Sequence, residues 1–428
     1  MKKLMMAMAL LPMMVLADTW RDPNTGITWT YVINGGNAQV GESYYSSAIS
    51  RSTTGAITIP SFLGGCPVTS IGDYAFYECT ELTSITIPSS VNSLGEYAFT
   101  KCRKLTTIAI PSGVTSIPNC AFKKCSGLKS VSIPLGVTII GWEAFKECTS
   151  LSSVIIPSTM VKIEEYAFKN CTSLTSVTIP ASVTYLEGSE DYGSGMYGGY
   201  FYVFEGCDAL REIKVALDNP VFSSQDGILY NKDGSVLICC PPGRNGEVIV
   251  SRSVTVVDEG AFDGCYGLTA VTIPSSVTSI GVGAFMGCKG LTVMFMGEEP
   301  QVWGGDIFSG ATNVKVYVQP GQGWQGVPGM WQGVPVAYAP GAVSYWYDFN
   351  DDGGITLMGV ASGMPSGSWV LPSTYDGYPV TAIGVDFPGT SKESLVTEVV
   401  IPASVRVIED ANSCATARAS GSSARRTS

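Results

Sequence analysis

The chain has 428 residues, 45% hydrophobic and only 14% charged, with 36 Asp and Glu against 25 Lys and Arg, a net charge of -11 and no histidine. Without His there is no Ser-His-Asp or Cys-His nucleophile and no histidine metal ligand, which removes most hydrolase and zinc chemistry. The acidic balance repels phosphate backbones and anionic headgroups, so nucleic acid and membrane surfaces are poor partners for the chain as a whole.

The sequence opens Met1-Lys2-Lys3, continues in an apolar run from Leu4 to Leu16, and carries small residues at Val15 and Ala17. A basic start, a short apolar middle and small residues at the cut read as a signal peptide over 1–17, too short to span a bilayer. The mature chain is expected to begin near Asp18, with 23 basic residues against 36 acidic, and to be secreted, at the cell surface or periplasmic. Residues 18–54, with Trp20, Trp29 and the turn Asn34-Gly35-Gly36, read as a hairpin capping an open core.

Self-similarity then takes over. Phe76, Phe99, Phe122, Phe145 and Phe168 each follow an Ala and recur every 23 residues; Phe262 and Phe285 keep the same period. Three residues after each stands Cys79, Cys102, Cys125, Cys148, Cys171, Cys265 or Cys288, and Phe204 with Cys207 keeps that offset behind Val203. Prolines keep the same clock at Pro88, Pro111, Pro134, Pro157 and Pro180. In the unit from Leu82 to Cys102, Leu82, Ile85 and Ile87 form a β-rich run that Pro88 closes, because proline lacks the N–H a ladder needs. Val91 and Leu94 mark a second short extended stretch, and Glu96 to Cys102 is long enough for one helical turn burying Ala98 and Phe99. One such coil cannot enclose its own apolar side chains, so residues 55–294 are expected to stack as an α/β repeat solenoid, β-rich with short helical turns.

The Cys column invites metal binding or disulfides in an exported protein. Equivalent residues of adjacent coils lie about 4.8 Å apart with parallel Cβ vectors, whereas a disulfide needs Cβ atoms about 3.8 Å apart and converging. Buried, reduced thiols acting as small hydrophobes are the expectation. Cys66, Cys120, Cys239, Cys240 and Cys414 stand off the column, where bridges stay open.

Outward strand positions Thr86, Ala109, Ser132, Ile155, Thr178 and Thr272 make a flat, hydroxyl-rich face without the Trp, Tyr and Arg of interface hot spots. The first break in the clock, an insertion at 187–202, has the opposite composition. Tyr192, Tyr197, Tyr200, Phe201 and Tyr202 stand there among Gly and Ser, a mix of rigid aromatics in a flexible frame typical of binding loops. These five are the candidate partner-binding residues; an insertion merely tolerated outside the stack is the competing reading. A second insert, 218–243, holds Gly227-Ile228-Leu229-Tyr230 and Ser235-Val236-Leu237-Ile238 around Asn231-Lys232-Asp233-Gly234, and reads as a structural hairpin.

Residues 295–340, with Trp303, Trp324 and Trp331 among Gly and Pro, are expected to cap the far end. Over 341–410 the beginning recurs: Tyr378-Pro379-Val380-Thr381-Ala382-Ile383-Gly384 mirrors Cys66-Pro67-Val68-Thr69-Ser70-Ile71-Gly72. A second array starts and reaches one strand, Val399-Val400-Ile401-Pro402; the phase then calls for Phe at position 413, where Ser413 stands. Residues 411–428, rich in Ala, Arg and Ser, are expected to be a disordered, non-repeat tail from a truncation or frame-shift.

Asp348-Phe349-Asn350-Asp351-Asp352-Gly353 imitates half a calcium loop, but Gly359 stands where the bidentate Glu belongs, and Ile33-Asn34-Gly35-Gly36-Asn37 at the same place in the first copy is a plain turn. The acidic pairs Glu164-Glu165, Glu190-Asp191 and Glu298-Glu299 are adjacent in sequence, which suits solvated charge better than convergence on a substrate. No catalytic, cofactor or metal residues are assigned.

The unit, L-x-x-I-x-I-P…V-x-x-I-x-x-x-A-F-x-x-C, resembles the BspA-like leucine-rich repeat proteins of bacterial surfaces over about residues 55 to 340. The resemblance implies a leucine-rich-repeat coil stack, non-catalytic, secreted or surface-exposed, that adheres to a protein or glycan at a cell surface or in extracellular matrix. Two readings stay beside it: the targeting arm of a secreted hydrolase-type system, and a structural spacer with no specific ligand.

Overall fold

A 23-residue coil folds only against its neighbours, and the computed structural model shows how the neighbours are joined. It describes residues 17–42, 46–186, 202–319, 322 and 324–339, then the strand residues and a few neighbours from 344 onward. The entry hairpin is built from β1 (Asp18–Arg21), β2 (Thr28–Asn34) and β3 (Asn37–Val40), followed by β4 (Gly55–Thr58), β5 (Phe62–Leu63), β6 (Cys66–Ile71), β7 (Leu82–Thr86) and β8 (Ser93–Leu94). From β7 on, each coil gives one strand to each of two parallel sheets.

The first sheet runs β4, β7, Thr107–Ala109, Ser130–Ser132, Ser153–Ile155, in register so that Val131 lies between Ile108 and Val154. The second contains Ser116–Ile117, Ile139–Ile140, Lys162–Ile163 and Tyr185–Leu186. β7 stops before Pro88, as the missing N–H requires.

The third side overturns one expectation. Glu96–Cys102 is a run of turns, and no helix occurs among the described residues. The amides of Tyr97, Phe99 and Lys101 donate to Asn119, Ala121 and Lys123 carbonyls of the next coil at 3.1, 2.8 and 2.8 Å, so they are unavailable for the four-residue bonds of a helix. Tyr97 and Lys101 also take φ of 58° and 65°, a left-handed geometry that costs a side-chain-bearing residue about 1–2 kcal/mol. Cys120 with Lys124, Glu143 with Glu147, and Tyr166 with Asn170 repeat that pair of left-handed residues, and glycines fill it at 260 with 264 and 283 with 287.

Inside, the phenylalanines stack with centroids 5.3 Å apart from Phe76 to Phe99, 5.2 Å from Phe99 to Phe122 and 5.3 Å from Phe122 to Phe145. All are fully buried, and each such side chain contributes about 1.5–3 kcal/mol. The column runs past residue 294: Phe308 stacks on Phe285 at 5.4 Å, and Thr292–Phe295 and Lys315–Val318 continue a separate parallel sheet that begins at Asn245–Ile249. One further coil therefore precedes the Trp cap, in which Trp324 and Trp331 pack at 5.0 Å and edge-on Trp331 covers Phe308 at 6.1 Å. At the entry, Trp29 covers Phe76 edge-on at 6.3 Å.

Two hydrophobic clusters, Trp29 to Cys239 and Ile228 to Val336, meet at the 218–243 insert. Ile228–Asn231 and Val236–Cys239 pair antiparallel there, as the turn between them requires. Buried Asn219 fixes the start of the insert, donating to the Pro180 and Val183 carbonyls at 2.8 and 2.9 Å and accepting from the Val221 and Phe222 amides.

Beyond 344 the strand pairing reproduces the entry. Ile355–Ser362 pairs with Tyr378–Ile383 as β3 pairs with β6, and Gly367–Val370 pairs with Val396–Ile401 as β4 pairs with β7, each with the same register shift. Within 411–428, where no order is expected, Ala417–Ala419 and Arg425–Thr427 are strands on Val396–Ile401 and Val407–Glu409. An open parallel edge carries unpaired N–H and C=O groups that an extended segment satisfies without any repeat sequence.

Candidate interaction surface

The strand face is as small and hydroxylated as its sequence indicates. Thr86, Ala109, Ser132 and Thr178 are exposed, Thr272 is half-buried, and Ile155, at 78% exposure, is the apolar exception. Farther along, Ile249 pairs with Thr272, which leads to Met294 and Tyr317 on the same row. That apolar continuation is hidden in the sequence because the inserts interrupt the 23-residue count.

The cysteine column is buried. Cys102, Cys125, Cys148, Cys171 and Cys207 each donate S–H to the Phe carbonyl one coil earlier, at 3.0–3.2 Å. Burial pushes the Cys207 and Cys288 thiols up to about 12, so the nucleophilic thiolate is suppressed. Off the column, Cys66, Cys120, Cys239 and Cys240 are also free thiols; Cys414 lies outside the described residues.

The turn side, two residues before each Phe, holds the more varied chemistry. Tyr74 stacks on Tyr97 at 4.8 Å and Tyr166 on Tyr202 at 5.0 Å; Cys120 and Glu143 fill the two positions between. Glu143 is buried and forms ion pairs with both Lys123 and Lys146. Burial raises its carboxyl, but the hydrogen bonds from Lys123 and Lys146 outweigh that and hold it below its usual range. The same lysines stand over rings, Lys123 over Trp142 at 5.5 Å and Lys146 over Tyr166 at 5.2 Å. This alternation is written in the sequence, since Cys120 and Glu143, like Lys123 and Lys146, are one period apart.

Of the candidate binding residues, Tyr192, Tyr197, Tyr200 and Phe201 lie outside the described residues. Tyr202 is half-buried at the foot of the insertion, with Lys169 at 4.6 Å from the Tyr166 ring and 5.8 Å from its own.

Glu164 and Glu299, one member of each of two acidic pairs, have structural partners. Glu164 accepts from the Trp142 amide at 3.1 Å and pairs with Lys162 at 3.2 Å; Glu299 accepts from Trp331 Nε1 at 2.8 Å. Glu190, Asp191 and the 350–354 part of the calcium-like loop lie outside the described residues. Among the described residues, no three His, Cys, Asp or Glu side chains gather as a metal site, and no helix is long and apolar enough to cross a membrane. A polar cleft of about 520 Å³ opens near the far cap between Ser275, Thr278, Ser279, Glu298, Glu299 and Gln301.

The comparisons agree with this architecture. The BspA type leucine rich repeat region matches in six copies, over residues 69–190 and 245–322. No curated protein matches the chain. Among solved structures, a leucine rich cell surface protein of Faecalibacterium prausnitzii is 25% identical, over 95% of each chain, with a TM-score of 0.51. The pneumococcal vaccine antigen PcpA is 17% identical over 92% of this chain and 98% of its own, TM-score 0.54. A leucine-rich repeat protein of Bacteroides ovatus is 24% identical over 90% of this chain and 89% of its own, TM-score 0.50. These last two likenesses concern the fold alone. With its 23-residue β coils, its Ala-Phe…Cys frame and those six copies, the chain carries leucine-rich repeats of the BspA type.

Proposed function

We propose that the chain is a non-catalytic interaction scaffold, secreted or held at the cell surface after removal of residues 1–17, which binds a protein or glycan of a cell surface or extracellular matrix. The observation that carries this is the foot of the Tyr-rich insertion: Tyr202 stacks on Tyr166 beside Lys169, on a turn side already lined by Tyr74, Tyr97 and Trp142. Aromatic anchors and cations at the rim of a rigid stack supply large contact area at low entropic cost. Tyr192, Tyr197, Tyr200 and Phe201 belong to the same insertion and share its aromatic composition. The suppressed thiols and the absent histidine support a non-catalytic role, and the relation to a leucine rich cell surface protein supports the location.

Deleting residues 188–200 tests the proposal. The thermal midpoint is expected to stay within a few degrees, while saturable binding to a panel of matrix proteins is lost. Full retention of binding would place the partner elsewhere.

A further inference from the structure

Charge is unevenly distributed on this acidic chain. Nine of the 25 Lys and Arg residues lie between Lys101 and Lys169, with only four acids among them. They concentrate on two adjacent coils, where Lys101, Arg103 and Lys104 are followed one turn later by Lys123 and Lys124. Lys101 and Lys124 occupy the same left-handed position of consecutive coils, and each is held by an acid, Glu78 at 2.6 Å and Glu147 at 3.5 Å.

A cleft of about 440 Å³ opens against the first of these coils, lined by Arg51, Glu78, Thr80, Glu81, Lys101, Arg103 and Lys104. Glu78 is shared by Arg51 at 3.2 Å and Lys101 at 2.6 Å, and Glu81 holds Lys104 at 2.6 Å. Arg103 is exposed and makes no ion pair among the described residues. The Tyr77 ring lies 5.4 Å from the Arg51 guanidinium and 5.1 Å from Lys101 Nζ. The lining therefore offers an unpaired guanidinium fork suited to a carboxylate or sulfate. Beside it stand two carboxylates and a threonine hydroxyl, which can accept hydrogen bonds.

We propose that this cleft binds an anionic saccharide, with Arg103 and Lys104 on its carboxylate or sulfate and Glu78, Glu81 and Thr80 on its hydroxyl groups. A phosphodiester offers only acceptor oxygens and would leave Glu78 and Glu81 facing like charge, and the acidic remainder of the chain repels a long, densely charged polymer. A saccharide brings hydroxyl donors for the two carboxylates together with an anionic group for the guanidinium. The proposal deepens the scaffold reading by naming a glycan partner, and it is separable from it, since the cleft does not involve residues 188–200.

The test uses the purified full chain at low salt with five probes: a heparin-derived hexasaccharide for sulfate, tetragalacturonate for carboxylate, neutral maltohexaose, an acidic decapeptide and a single-stranded oligonucleotide. Saturable binding of at least one anionic saccharide is expected, weakening as salt rises, with no binding of maltohexaose. Arg103→Glu should weaken it by about tenfold or more, the equivalent of about 1.4 kcal/mol, as should Lys104→Glu, while Lys315→Glu on the strand face leaves it unchanged. Arg103→Gln serves as the milder variant should Arg103→Glu fail to fold. Absence of binding to both anionic saccharides, equal or tighter binding of the peptide or oligonucleotide, or indifference to the folded Arg103 variant would each overturn the proposal. Retained saccharide binding in the 188–200 deletion separates this site from the insertion.

Discussion

The thiol of Cys125 donates its S–H to the carbonyl oxygen of Phe99, 3.0 Å away and one coil earlier. The same oxygen accepts the Cys102 amide of its own coil at 3.1 Å, so one carbonyl ties a turn closed and ties the next coil to it. Repeated along the stack, this explains why the column is cysteine rather than alanine or valine.

Cys125→Ala should cost about 1–2 kcal/mol through a small cavity and an under-satisfied buried carbonyl. Cys125→Ser, which keeps a donor, should cost less. Urea unfolding of both variants decides it; a serine variant less stable than the alanine one would make the thiol a hydrophobic filler only.

The turn side makes a second, steric prediction. Gly264 has φ of +68° and open space at its missing Cβ, where the nearest atoms are those of the Tyr266 ring end at 4.0 Å. Gly264→Ala should therefore cost only the left-handed strain, about 1–2 kcal/mol. At Gly95 an added Cβ would run into the backbone of Gly72 and Asp73 on the preceding coil, so Gly95→Ala has to push neighbouring coils apart. Thermal midpoints should fall further for Gly95→Ala; the reverse order would contradict the packing described.

Acid should act through Glu143. Its folded pKa lies below the ordinary 4.5 because Lys123 and Lys146, against the opposing effect of burial, hold it ionised. Stability from this triad is thus complete above the unfolded carboxyl's pKa and is lost as pH falls through the depressed folded value. Glu143→Gln should lower the urea midpoint at pH 7 by the equivalent of about 2–3 kcal/mol, with the gap to the parent closing between pH 5 and pH 3. A gap that persists at pH 3 would show that packing, not charge, is what the substitution removes.

The coil stack was legible because Phe, Cys and Pro repeat on one clock, and periodicity survives without knowledge of neighbours. The third side was not, since the acceptors for Tyr97, Phe99 and Lys101 amides lie on the next coil and nothing within Glu96–Cys102 reveals them. Phe308 escaped notice because Ile307 and Ala311 replace its Ala and Cys. The Cys column was readable as buried thiols, but its carbonyl acceptors come from an adjacent coil and only coordinates supply them. Of the binding candidates, composition alone singled out the insertion, and Tyr202 is where that composition meets the described stack.

The central proposal is that this solenoid binds at its Tyr-rich turn side. The most direct measurement is surface-immobilised full-length chain against a panel of extracellular-matrix proteins, in parallel with the 188–200 deletion. Saturable binding by the intact chain, lost in the folded deletion, is the expected result. Binding of equal strength by both proteins, or binding by neither, would contradict it.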